Sequence, residues 1–151
     1  MMHETYVNFE QSQILNELGF DWECSNGYYI HAWMDEPRFT SYEDCEKEAE
    51  SYDGTDYYPA PTLAVAQKWL REVKGIAVCV VVKDISDRFH PCTYYWKESF
   101  LSHSATTGKQ WSDWFVYGLH PLKATFEEAL SDGLTKMLKL IANKPMEYDQ
   151  Q

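Results

Sequence analysis

Residues 60–84 constrain the fold more than any other stretch, because they join a one-sided helix, a glycine stop and a strand without a polar residue. Pro61 holds extended backbone and pushes Ala60 out of helical space. Thr62 then suits an N-cap, since its hydroxyl can accept from an orphan N–H of the first turn. Leu63, Ala66, Trp69, Leu70 and Val73 recur at helical spacing, with Gln67, Lys68, Arg71 and Lys74 on the opposite face. Cations in the last turn favour the helix dipole, and Gly75 supplies a left-handed stop. From Ile76 to Val82 neither strand face is polar, a pattern expected of an interior strand covered on both sides. Cys79 within it reads as a small buried hydrophobe.

The rest of the chain builds outward from that unit. Asn8, with Gln11 three residues on, suits a capping box for a short helix whose apolar side is Ile14, Leu15 and Leu18. Gly19 ends it, with Phe20 folding back on Leu15. Ser25-Asn26-Gly27 reads as a turn, Tyr28 to Met34 as a strand, and Arg38 to Tyr42 as a short edge strand returning beside it. Residues 43–56 carry seven acids against Lys47 alone, a block that resists burial as a solvated helix turn or a loop. Thr93 to Leu101 and Trp111 to Tyr117 read as strands joined near Thr107-Gly108. Thr125 and Glu128 suit a capping box for a last helix lined by Phe126, Ala129, Leu130, Leu134, Met137, Leu138 and Ile141. Asp132 and Lys136 are placed as an i,i+4 pair on its other face, and Asn143 and Pro145 end it. The order implies an α+β fold: a single domain over 1–144, with a mixed sheet of four or five strands, two main helices packed on it and a short N-terminal helix. Residues 43–56 are an acidic insert in this reading, and 145–151 a disordered tail.

At this point a resemblance enters. Ala60-Pro61-Thr62, then Ala66-Gln67-Lys68-Trp69-Leu70-Arg71-Glu72 and Gly75-Ile76, resembles a signature of small proteins from prophages and mobile elements of gut Bacteroidetes. Phe126-Glu127-Glu128-Ala129-Leu130 through Leu138-Lys139-Leu140-Ile141 is similar to their closing segment. The likeness covers 60–76 and 125–141 best and the acidic stretch from Pro37 to Asp56 poorly. It implies a source and brings no catalytic residue with it.

Charge separates the chain into two parts. The first 60 residues hold fourteen Asp or Glu against Arg38 and Lys47, a net −12, whereas residues 61–151 carry a net +1. Such a distribution argues against binding a phosphate backbone and suits a basic partner. No apolar run reaches membrane length and no signal-peptide pattern opens the chain, so a cytoplasmic protein is expected. Cysteines at 24, 45, 79 and 92 lack C-x-x-C spacing, so the expectation is reduced thiols, no disulfide, no metal and no cofactor.

Catalytic patterns are weak. His90 and Cys92 flank Pro91 and could meet as a dyad, but zinc would need two more ligands, and His103 and Cys79 are not at motif spacing. His31 reads as a satisfied, half-buried strand histidine. Acids beside aromatics are the ingredients of a glycosidase, yet here they are too numerous to point anywhere. There is no phosphate-binding glycine loop and no G-x-S-x-G.

Aromatics make up 16% of the chain, and several are adjacent in sequence (Tyr28-Tyr29, Tyr57-Tyr58, Tyr94-Tyr95-Trp96). Neighbours on a strand point to opposite faces, so such pairs cannot all share one core unless both faces are covered. The leading expectation is a non-enzymatic interaction protein, binding a protein with a basic surface through Tyr57, Tyr58 and Trp111 with Glu46, Glu48 and Glu50 as acidic flank. Alternatives are a DNA-mimicking inhibitor of a nucleic-acid-binding protein and a small hydrolase of sugar or acyl substrates. Direct nucleic-acid or membrane binding is not expected. Leu70→Ala should cost about 2–5 kcal/mol, and Glu48→Ala should be nearly neutral if Glu48 is solvated.

Overall fold

The computed structural model describes residues 5–82, 94–104, 108–111 and 122–144. The chain divides into two compact units, Met1–Ala64 and Val65–Gln151.

In the first unit, α1 (Phe9–Glu17) begins as its sequence indicates. Asn8 Oδ1 accepts from Gln11 N–H, and Gln11 Oε1 accepts from Asn8 N–H, each at 2.8 Å. It ends in a Schellman arrangement: Gly19 is left-handed, its N–H donates to Asn16 O, and Phe20 N–H donates to Leu15 O. Strand β1 (Asn26–Ile30) is the centre of a three-stranded antiparallel sheet, flanked by β2 (Arg38–Ser41) and β3 (Asp56–Pro59). Gly27, expected in a turn, lies in β1. A Cβ there would stand 2.7 Å from the Tyr58 carbonyl oxygen, so the glycine permits a close backbone approach.

The two faces of this sheet are served by two helices. Tyr28 and Tyr58 share the face toward α1, and the Phe9 ring stands edge-on to both at 5.7 Å. Phe39 and Tyr6 extend the same aromatic cluster. Gly27 and Tyr29 share the other face, against which α2 (Tyr42–Ser51) lies through Tyr42 and Cys45. The acidic stretch is therefore mostly a helix, capped by the Ser41 hydroxyl accepting from Asp44 N–H at 3.2 Å.

The division between units falls inside α3 (Leu63–Trp69), which continues as a π-helical turn, Leu70–Lys74. Gly75 is left-handed as expected, and its N–H donates to Leu70 O, five residues back. A wider turn rotates successive side chains less per residue. Leu70 thus stays fully buried, while Val73, expected on the same stripe, is half exposed.

Strands β4 (Ile76–Val82), β5 (Tyr94–Ser104) and β6 (Gly108–Trp111) form a second antiparallel sheet in that order. Helix α4 (Phe126–Ile141) packs on β4 and β5 through Leu130, Gly133, Leu134, Met137 and Leu138. The Thr125 hydroxyl caps it, accepting from Glu128 N–H at 3.1 Å, and Asn143 ends it in the left-handed region. Asp132 accepts from the indole N–H of the buried Trp96 at 2.8 Å, so its carboxylate serves the core side of α4.

Two expectations are corrected here. There is no single mixed sheet of four or five strands but two antiparallel sheets of three, alongside four α-helices among the described residues. Mixed pairing needs a long crossover between parallel strands, whereas each of these sheets closes on strands near in sequence. Nor is β4 interior among the described residues: it pairs with β5 on one side, and β5 holds the centre. Ile76, Ala77 and Val78 are buried, but Cys79, Val80 and Val81 are only partly so. His90, Cys92, the strand expected beyond Trp111 and the tail lie outside the described residues.

Candidate functional site

Helix α2 organises what chemistry the first unit offers. Of its ten residues only Cys45 is buried, and Glu43, Asp44, Glu46, Lys47 and Glu50 face solvent. Burial, with the Asp44 carboxylate adding to it, pushes the Cys45 thiol up to about 11. A hollow lies at each end of the helix.

Beyond the C-terminal end, His31 follows β1 on the α2 side and is almost wholly buried. Its Nε2 stands 2.9 Å from Glu48 Oε2, and its Nδ1 is within hydrogen-bond distance of Thr55 Oγ1. The Thr55 hydroxyl donates its one proton to the Tyr52 carbonyl at 2.8 Å. All three contacts are satisfied together only if His31 Nδ1–H donates to Thr55. That leaves Nε2 facing the Glu48 carboxyl group. A Ser/Thr–His–acid relay requires the hydroxyl to pass its proton to the ring. Here the proton runs the other way, and the trio is a staple joining the end of β1, α2 and the approach to β3.

Aromatic rings enclose that staple. Trp33 stacks on the His31 ring at 5.0 Å and 23°. Tyr52 and Tyr29 meet the same ring at 4.8 and 5.2 Å. Trp33 is nevertheless 71% exposed and Tyr52 50%. With Met34, Arg38 and Glu48 they border a hollow of about 250 Å³.

The second hollow, about 480 Å³, opens at the N-terminal end of α2. Asp21, Glu23, Glu43 and Glu46 line it together with Trp22 and Tyr42, and no basic residue does. Cys24 also borders it, but burial pushes that thiol up to about 11, which makes it a poor nucleophile near neutral pH.

The expected site residues fall in several places. Glu46 lines the acidic cleft. Tyr57 packs its ring on Tyr42 at 5.7 Å and stays 37% exposed. Glu46 and Tyr57 both lie near enough to Tyr42 to raise its hydroxyl pKa, behind the larger effect of burial. Both therefore neighbour Tyr42, but only Glu46 lines the cleft. Tyr58 points to the opposite face and is packed on Phe9, so it belongs to the α1 side. Glu50 faces solvent. Glu48, expected to be solvated, is the acceptor for His31 and only 36% exposed at its side chain. Trp111 sits in β6 opposite Leu101, with its side chain outside the description. Trp22, Trp33 and Tyr52 were not singled out from the sequence. Their exposure depends on how the ends of the sheet and α2 meet, which no local pattern encodes.

Among the described residues no group of three His, Cys, Asp or Glu is placed to hold a metal ion, and Cys24, Cys45 and Cys79 are free thiols. No described helix is long and apolar enough to cross a membrane. The chain matches no protein-family model, no curated protein and no solved structure.

Proposed function

We propose that this protein is a non-enzymatic interaction module, binding a protein partner with a basic surface against the acidic and aromatic surface around α2. The observation that carries the reading is the cleft at the start of α2. Four carboxylates and three aromatics (Phe20, Trp22 and Tyr42) share its lining with no basic residue, although Lys47, outside the lining, pairs with Glu43 at 3.4 Å. Such a lining steers a cationic partner and speeds its association, an effect that fades with salt. Lasting affinity then comes from partly exposed rings that can be desolvated, of which Tyr57 is one. The direction of the Thr55 hydrogen bond supports a binding role over nucleophilic catalysis at His31.

Stopped-flow binding of a lysine- and arginine-rich peptide at several salt concentrations tests this reading. Glu43→Gln with Glu46→Gln should slow association and flatten its salt dependence, whereas Tyr57→Ala should mainly speed dissociation. An association rate indifferent to both salt and these carboxylates would overturn the reading. So would sub-micromolar binding of plain duplex DNA at physiological salt, given the −12 carried by residues 1–60.

A further inference from the structure

We propose that the aromatic hollow beside His31 seats one basic side chain of the partner, a lysine or arginine held against Trp33 and Tyr52 and beside the Glu48 carboxylate. The inference rests on the reading of the first unit as a surface for a basic protein, and it assigns an anchoring contact to that surface.

Trp33 is the most exposed large hydrophobic residue among those described, yet it is not loose. One face of its indole is held on the His31 ring, and the Tyr52 ring stands to it at 76° with centroids 6.4 Å apart. Two exposed rings fixed at a steep angle form a corner, and a cation within about 6 Å of such a ring face is attracted by its quadrupole. The staple behind the corner orients it in advance, so little ordering is left for binding. Glu48 commits Oε2 to His31, which leaves its other oxygen to accept from an ammonium or guanidinium. The hollow, about 250 Å³, is smaller than the roughly 300–1,000 Å³ of drug-sized pockets and suits a single side chain.

Charge decides the sign of the occupant. Residues 1–60 carry −12 with Glu48 included and histidine counted neutral, so a cation is favoured. Arg38 at the rim opposes it. Its methylenes can line the wall while the charged head stays in water, and it gives the proposal a sharp test.

The experiment is an NMR titration of the full chain with N-acetyl-lysine methylamide and N-acetyl-arginine methylamide, with N-acetyl-aspartate methylamide as the anionic counterpart. Saturable shifts at the Trp33 indole N–H and at Tyr52 are expected with the cationic probes. Trp33→Ala and Tyr52→Leu should each weaken binding by about tenfold, with the amide spectrum showing that the variants remain folded. Arg38→Gln should tighten it. Preference for the anionic probe, weaker binding in Arg38→Gln, or small shifts spread evenly over the acidic surface would overturn the proposal. A basic peptide that binds wild type and Trp33→Ala alike would overturn it while leaving the interaction reading intact. Failure of every basic peptide to bind would remove that reading as well.

Discussion

Replacing Gly133 with alanine sets helix propensity against packing in a single methyl group. Gly133 lies inside α4, where glycine costs about 1 kcal/mol relative to alanine, so propensity alone makes the variant more stable. A Cβ at that position, however, would stand 2.8 Å from Val78 Cγ1 and 2.9 Å from Trp96 Cγ and Cδ2. Neither neighbour yields easily. Trp96 is fully buried and tied to Asp132 through its indole N–H. Val78 is β-branched and sits in the β4–β5 ladder opposite Glu98. Overpacking of this kind costs about 1–3 kcal/mol, so after the propensity gain a net loss near 1 kcal/mol remains. In a unit of this size that lowers Tm by a few degrees. Urea denaturation followed by circular dichroism reads the loss directly. Val78→Ala removes the nearest obstructing methyl, so Gly133→Ala should cost less in that background, with a coupling of about 1 kcal/mol. A stabilisation of about 1 kcal/mol by Gly133→Ala, the same with or without Val78→Ala, would refute the placement of α4 on Val78 and Trp96.

Leu70→Ala should cost about 2–5 kcal/mol, because Leu70 is fully buried at the start of the π-helical turn; a urea midpoint close to wild type would contradict that. Glu48→Ala should cost about 1–3 kcal/mol by leaving His31 Nε2 buried without its acceptor. Glu50→Ala on the solvent side should be nearly silent, and equal thermal shifts for the two would dismiss the staple. Burial holds the Cys24 and Cys45 thiols protonated to about 11 against an ordinary 9.0, and raises Tyr28 and Tyr42 as well. Above pH 9 the unfolded chain therefore binds fewer protons than the folded one, so stability is whole below pH 9 and falls as pH rises toward 11. Urea midpoints at pH 8, 9 and 10 under reducing conditions check this, and a flat profile would refute it. The same two thiols should react with a disulfide reagent at pH 8 far more slowly in the native chain than in urea.

What the sequence determined by itself was local. The Asn8–Gln11 box, the left-handed stops at Gly19 and Gly75, the Thr125 cap and the Asn143 exit all rest on contacts within about six residues, and each stands in the structure. The stripe of α4 from Ala129 to Leu138 was legible for the same reason, since a period of 3.6 needs no knowledge of the partner surface, whereas Phe126, expected on it, is exposed and Ile141 only partly buried. Tertiary structure decided the rest. An apolar run such as Ile76–Val82 declares a strand but not its neighbours, so two antiparallel sheets could not be told from one mixed sheet. Val73 left its stripe because the turn widened after Leu70. Tyr57 and Tyr58 are adjacent in sequence, yet one faces α2 and the other α1, and the choice depends on β3 pairing with β1. Glu48 was indistinguishable from its acidic neighbours until α2 laid it against His31, seventeen residues earlier. The corner between Trp33 and Tyr52 forms only when the ends of β1 and α2 meet. Contacts of that kind are set by the packing of distant segments, and a one-dimensional pattern does not encode them.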